Sequence, residues 1–249
     1  MPAVLVHGNP ETPAVWDPVR THLKRSDVIT PRLPGFGAKA PAGFNATKEE
    51  YVAWLVAELE AIGEPVDLVG HDWGGGFVLR VACTRPDLLR SWVSDVAGLL
   101  DPDYVWHDFA QIWQTPGAGE QYFADALAQP VADTVALYQA VGMTGDAARA
   151  FAEAADEEMA RCVLALYRSA AQPEMINWGR DAEAARARPG LVIVPSDDPF
   201  TGGTDKPIRQ AARLGARAEL LDGLGHWWML QDPKRGAGVL EDFWATLES

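Results

Sequence analysis

Short apolar runs alternate along this chain with longer stretches whose apolar residues recur every three or four positions. The two patterns predict different elements. Ala3-Val4-Leu5-Val6, Val28-Ile29-Thr30, the run from Val66 to Val69, Trp92-Val93 with Val96, Leu191-Val192-Ile193-Val194 and Ala218-Glu219-Leu220-Leu221 read as strands. Near-continuous apolar strands suit a parallel sheet buried on both faces. Helical spacing follows from Val15 to Leu23, and again from Phe77 to Ala82. Thr47 is an expected N-cap with Glu50 completing a capping box; that helix carries Tyr51, Trp54, Leu55 and Leu59 and stops near Gly63. Strands alternating with helices predict a parallel sheet with helices on both faces.

From Asp101 to about Arg188 the alternation stops. Val105 to Trp113, Glu120 to Ala128, Val131 to Val141 and Asp146 to Ala171 all have helical patterns, punctuated by Pro102, Pro116, Pro130 and Pro173. An all-helical insertion of this size predicts a cap over the strand ends. Residues 1–100 and 189–249 then form the core domain, and 101–188 the helical cap (lid). A helix from Pro233 to about Leu247 closes the chain.

Composition narrows the partners. A formal net charge of −14 argues against nucleic acid and anionic membrane. Cys83 and Cys162 both sit in apolar helical contexts and read as ordinary buried thiols in a reducing compartment. No apolar run reaches the ~20 residues of a membrane span, and no signal-peptide pattern opens the chain. The expected location is the cytoplasm.

The chemistry centres on Leu68-Val69-Gly70-His71-Asp72-Trp73-Gly74-Gly75-Gly76. An apolar strand, small residues and then a helical pattern predict a sharp strand-turn-helix elbow with Asp72 at its apex. A serine there would attack acyl carbonyls, whereas a carboxylate attacks carbon and forms an ester with the enzyme. Asp198 and His226 follow at later strand ends. Nucleophile, acid and base therefore appear in the chain order of a hydrolase triad. Asp197 adjoins Asp198, and Asp95 at the end of the preceding strand is a minority candidate for the acid. Backbone N–H groups of Asn9 and Trp73 are the expected oxyanion donors. As a plain helix cap, Asp72 would have no need of the flanking glycines or of Gly225-His226. His71 reads as structural, beneath the elbow, and His7 as a brace for its own loop. Asp156-Glu157-Glu158 reads as a solvated helix face, and no metal site is expected.

His7-Gly8-Asn9-Pro10, Gly70-His71-Asp72-Trp73-Gly74-Gly75 and Gly225-His226-Trp227 resemble the α/β-hydrolase superfamily, in its branch of epoxide hydrolases and haloalkane dehalogenases. The resemblance spans the whole chain. It implies an α/β-hydrolase fold with a mostly parallel sheet, the cap lying between the sixth-strand region and the acid-bearing strand. Members usually carry two more strands before the His-Gly-x-Pro strand, so a sheet shortened at its N-terminal side, to about six strands, is expected. Its first strand would be an exposed edge that a covering helix or a homodimer could protect.

On substrate the resemblance points two ways. Asn9 and Trp73 match the residues that hold halide in the dehalogenases. Leu166-Tyr167-Arg168-Ser169 and Trp113-Gln114-Thr115-Pro116-Gly117 resemble cap motifs of the epoxide hydrolases, where a phenol protonates the opening oxygen. That family usually has two such tyrosines; the first aligns with Phe109 here, leaving Trp106 or His107 to supply the second donor. Phe109, Trp113 and Trp227 are expected pocket residues. The reading is a cofactor-free hydrolase acting on a small apolar substrate with water, first an epoxide hydrolase and second a haloalkane dehalogenase. A non-catalytic ligand binder on the same fold is the lower alternative.

Overall fold

The computed structural model describes residues 1–247. Six strands form one sheet: β1 (Ala3–Val6), β2 (Val28–Ile29), β3 (Val66–Gly70), β4 (Leu89–Ser94), β5 (Gly190–Pro195) and β6 (Arg217–Leu221). Their order is β2-β1-β3-β4-β5-β6, and every neighbouring pair is parallel. The strand expected to be an exposed edge, β1, lies inside the sheet. It pairs with β3 on one side and with the two-residue β2 on the other.

Side-chain alternation divides the core in two. Val4, Val6, Leu68, Val192 and Val194 face one hydrophobic cluster; Ala3, Leu5, Val69, Leu191 and Ile193 face the other. Helices α2 (Lys48–Ile62) and α3 (Trp73–Thr84) cover the first face, while α1 (Asp17–Arg20), α11 (Trp228–Gln231) and α12 (Pro233–Ala245) cover the second. At α2 the Thr47 hydroxyl accepts from Glu50 N at 3.3 Å, and Gly63 ends the helix in a left-handed conformation (φ 79°). The expected capping box is only half formed, because the Glu50 carboxylate reaches back to Asn45 N (2.6 Å) and Nδ2 (2.8 Å).

The segment between β4 and β5 is helical: α4 (Asp108–Gln114), α5 (Ala118–Leu127), α6 (Val131–Ala140), α7 (Gly145–Ala154), α8 (Glu157–Ser169) and α9 (Glu174–Trp178). The pattern from Asp146 to Ala171 is two helices, not one. The Asp156 carboxylate accepts from Met159 N at 2.7 Å and so caps α8, while Asp156 and Glu157 are exposed, as a solvated face requires. Glu158 also has a partner, Ala40 N at 3.0 Å. Phe151 and Ala148 of α7 join one core cluster, and Cys162, Val163 and Leu166 of α8 join the other. The segment therefore bridges both faces of the sheet. At its far end Lys48 N and Nζ donate to Ser169 Oγ (2.9 Å) and O (2.6 Å), fixing α8 against α2. Helix α10 (Asp205–Leu214) then connects β5 to β6.

Candidate active site

The turn after β3 places Asp72 at a backbone conformation rare for a side-chain-bearing residue, φ 49° and ψ −126°. The surroundings leave no room for larger neighbours. A Cβ on Gly74 would strike the Val6 and His7 carbonyl oxygens, and one on Gly8 would strike the Asp72 side chain itself. The loop after β1 thus lies directly against the elbow. Asn9 N donates to Asp72 Oδ1 at 2.8 Å. The other oxygen, Oδ2, faces His226 Nε2 at 3.7 Å.

His226 stands on the loop after β6. Its Nδ1 lies 2.8 Å from Asp198 Oδ2, and Asp198 Oδ1 accepts from Phe200 N at 2.7 Å. Asp198 is buried beside the imidazole, whereas Asp197 is exposed and accepts from Ser196 Oγ at 2.8 Å. Asp95, the minority acid, turns elsewhere. Its Oδ2 meets His71 Nδ1 (2.5 Å) and the Trp228 indole N–H (2.8 Å), and its Oδ1 accepts from Asp72 N (3.0 Å).

Beneath the elbow lies a second charged group that the sequence reading did not single out. Glu11 is fully buried, with Oε1 2.9 Å from His71 Nε2. The same oxygen accepts from the Trp227 indole at 2.7 Å, and Oε2 accepts from Gly8 N at 3.0 Å. The flanking carboxylates outweigh burial and raise the His71 pKa well above its ordinary value. Glu11, despite its burial, is held down at about 2 by His71 and the Gly8 N–H. One imidazolium between Glu11 and Asp95 thus ties together the loop carrying Asn9, the elbow, and the tryptophans after His226. The sequence signal for it was an acidic residue immediately after Pro10, at the end of a buried strand. Glu11, His71 and His226 bring donor atoms within 4.8 Å of one another. A protonated His71 has no lone pair to give a metal, so the cluster reads as a charge network.

Burial pushes the Asp72 pKa up to about 6 against the pull of His226 and His71. His226 is raised, because attraction to Asp198 and Asp72 exceeds the cost of burial. Asp198 is lowered by the same pairing with His226. His7 is a brace: burial lowers it to about 4, and its two nitrogens engage Gly8 O (2.9 Å) and Leu33 N (3.1 Å).

A cavity of about 420 Å³ opens above Asp72, walled mainly by α4 to α8 and the loops after β5 and β6. His107, Phe109, Trp113, Tyr167 and Trp227 all line it, as do Tyr122 and Tyr138. Ala110 N donates to His107 Nδ1 at 3.2 Å, which places the proton on Nε2 when the ring is neutral. Burial and the nearby His226 lower this pKa to about 4. Trp106 does not line the cavity. Its indole N–H donates to Ala170 O at 3.1 Å and its ring stacks on Trp73, so it is not free to reach a ligand. Tyr167, from α8, is 2 % exposed, with its hydroxyl 3.5 Å from Asn9 Nδ2. Among the described residues lining the cavity, none is Lys or Arg, while Asp133 and Asp156 stand at its wall.

A strained acidic elbow, an imidazole with its carboxylate and a neighbouring backbone donor can carry out covalent hydrolysis. Residues 3–239 match the alpha/beta hydrolase family. The chain belongs to that family. Among curated relatives, the (E)-2-((N-methylformamido)methylene)succinate hydrolase of Acinetobacter baylyi is 31 % identical over 91 residues, 36 % of this chain and 35 % of that protein. The match thus spans about a third of that relative's length. Haloalkane dehalogenase 2 of Mycobacterium tuberculosis is 26 % identical over 216 residues, 78 % of this chain and 74 % of that protein. A mutant structure from Pseudomonas aeruginosa, assigned to an epoxide hydrolase, superposes with a TM-score of 0.76 at 21 % identity, covering 99 % of this chain and 89 % of the other. At that identity the likeness concerns the fold.

Proposed function

We propose that this hydrolase opens epoxides to vicinal diols through an ester on Asp72, with the helical segment from α4 to α8 serving as the lid of the site. The observation that carries this reading is the buried Tyr167 hydroxyl beside Asn9, on the same cavity as Asp72 and His226. An alkoxide is a poor leaving group and needs a proton as the ring opens. Burial and the charge of Asp72 raise the Tyr167 pKa well above its ordinary value, so the phenol remains protonated and able to donate. Neutral His107, with its proton on Nε2, is the second donor that Phe109 cannot be.

Asp72 Oδ2 attacks an epoxide carbon, and the C–O bond breaks toward the oxygen, which takes the Tyr167 proton. Water then attacks the ester carbonyl and gives one proton to His226. The oxyanion forms on Oδ1, where Asn9 N already donates at 2.8 Å; losing such a donor typically costs ~10²–10³ in rate. Collapse releases the diol alkoxide, which takes the His226 proton, and the second water proton returns to the Tyr167 phenolate. Esterification also prepares the base. The Asp72 charge helps to raise the His226 pKa, and in the ester that charge is gone, which favours the neutral imidazole that must take a proton from water.

The absence of Lys and Arg from the described cavity wall supports a neutral apolar substrate over a carboxylate-bearing one. A second reading, haloalkane dehalogenase, is supported by Asn9 with Trp73 and by the long match to a dehalogenase. The test is a His226→Gln variant incubated with styrene-type epoxides and with bromoalkanes, followed by peptide mass spectrometry. An epoxide-derived ester on Asp72 is expected. Labelling by bromoalkanes alone would favour the second reading, and labelling by neither would remove both.

A further inference from the structure

The cavity wall is of two kinds. Around Tyr167 it is aromatic: the Trp113 ring stands edge to face with Tyr167, centroids 4.8 Å apart, and Tyr122 follows at 5.8 Å from Trp113. At the end of α5 and along α6 it is mainly aliphatic, with Leu127, Val131, Leu137 and Val141. Protein covers these four poorly: Leu127 is 37 % exposed, Val131 42 %, Leu137 56 % and Val141 44 %. Val131, Thr134, Tyr138 and Val141 recur at steps of three and four, which is one face of a helix, and all four line the cavity. A stripe of this spacing is ordinarily buried against a core. Helix α6 buries no residue fully; Val135 and Tyr138 lean on the core cluster that includes Phe151 of α7. Over about 15 Å of helix, apolar side chains thus face a cavity where a core would normally be.

We propose that α6 is the binding wall for an unbranched alkyl tail, so that the site's substrates are epoxides carrying a long, uncharged aliphatic chain, with Leu137 and Val141 as specificity-determining residues. The reacting group rests on the epoxide reading given above; the tail wall rests on the α6 stripe. The occupant is the substrate's own chain because the stripe is continuous with the cavity that holds Asp72 and Tyr167. A chain laid along α6 removes aliphatic side chains and aliphatic carbon from water together, the gain that a core would otherwise supply. The far end of the chain is uncharged. Asp133, in the first turn of α6, and Asp156 stand at this wall, and a carboxylate brought between them meets like charge without a cation to offset it.

The test compares wild type, the double variant Leu137→Ser with Val141→Ser, and Gln139→Ala, a control at an exposed α6 position that does not line the cavity. Diol formation is measured from straight-chain terminal epoxides of about four to twelve carbons. In wild type kcat/KM should rise about threefold to fourfold per added methylene, through KM more than kcat. The double variant should lose most of that rise, and Gln139→Ala should keep it. A terminal carboxylate on the longest chain should lower kcat/KM about tenfold or more, and Asp133→Asn should recover part of the loss. Binding is read without chemistry by titrating straight-chain alcohols of the same lengths into Asp72→Asn, using the fluorescence of the cavity residues Trp113 and Trp227. Affinity should climb with chain length by the same factor, and the two serine substitutions should flatten the series. Epoxide turnover that ignores chain length, or a rise that the double variant keeps, overturns the tail wall while the epoxide reading stands. If no epoxide is opened, that reading falls, and the alcohol series still decides the wall. Serine substitutions that change the sedimentation of the protein and leave both series alone would mean that a second copy of the chain covers α6, and would also overturn the proposal.

Discussion

Strand β3 carries an aspartate at each end, and the two are treated in opposite ways. Asp67, near the amino end, is fully buried and surrounded by donors: Arg25 Nη1 at 2.8 Å, Ser91 Oγ at 2.6 Å and the Arg90 guanidinium. Asp72, just past the carboxyl end, receives Asn9 N and faces an imidazole at 3.7 Å, and its pKa rises to about 6. A carboxylate locked by cations makes a joint; one left short of partners keeps the reactivity a nucleophile needs. On the proposed reading the same strand has a braced end and a reactive end, as parallel α/β sheets place their sites at the carboxyl ends of strands.

Substitution should separate the two roles. Asp72→Asn is expected to reduce turnover by about 10⁴-fold or more while raising thermal stability. The sign follows from the raised pKa: the folded protein carries a penalty for ionised Asp72 that is complete above about pH 6 and absent below the unfolded carboxylate range. The side chain is 15 % exposed to the cavity, so the gain at pH 7 should be about 1–2 kcal/mol and should vanish near pH 3. Calorimetry at both pH values checks it. Equal or lower stability at pH 7 would erase the contrast.

Asp67→Ala should do the reverse. It removes the buried carboxylate that the Arg25 and Arg90 guanidinium groups share, although Arg25 keeps its Asp27 pair, and is expected to cost about 3–5 kcal/mol, while the folded fraction keeps its kcat. Chemical denaturation with parallel activity measurements reads both; a collapse of kcat in fully folded protein would mean that the braced end reaches the site. The pH dependence sharpens the comparison further. As the proposed nucleophile Asp72 must be ionised, so kcat/KM should fall as pH drops through about 6. An unmoved midpoint in Asp67→Asn would assign that limb to Asp72 alone, and a displaced one would couple the two ends. The smallest effect is Ser91→Ala, which removes one of several donors to Asp67 and should cost about 1–2 kcal/mol in denaturation.

How far these features could be read from sequence depends on what each residue leaves as a pattern. The β5 core run from Leu191 to Val194 is unbroken because both its faces are buried, and the elbow announces itself because only small residues fit around Asp72. The sequence already favours Asp198 over Asp197; the structure adds the direction, Asp198 toward the imidazole and Asp197 toward Ser196. Glu11 left no periodic signal; a buried acid is an exception to patterning, and its partners His71 and Trp227 are distant in sequence. The cavity wall was also obscure. Helix α6 buries no residue fully, so Leu137 and Tyr138 look like surface positions although they line the site. The break at Ala155 and Asp156 was hidden because helical periodicity continues on both sides of a two-residue interruption.

The central claim is that Asp72 bonds to carbon and that its own oxygen enters the product. A single turnover in H₂¹⁸O, with enzyme in excess over an aryl epoxide, tests this directly. The account predicts a first-turnover diol without ¹⁸O and an Asp72 peptide that has gained the label. A diol fully labelled in the first turnover, with Asp72 unlabelled, would mean that water attacks the substrate directly and would contradict it.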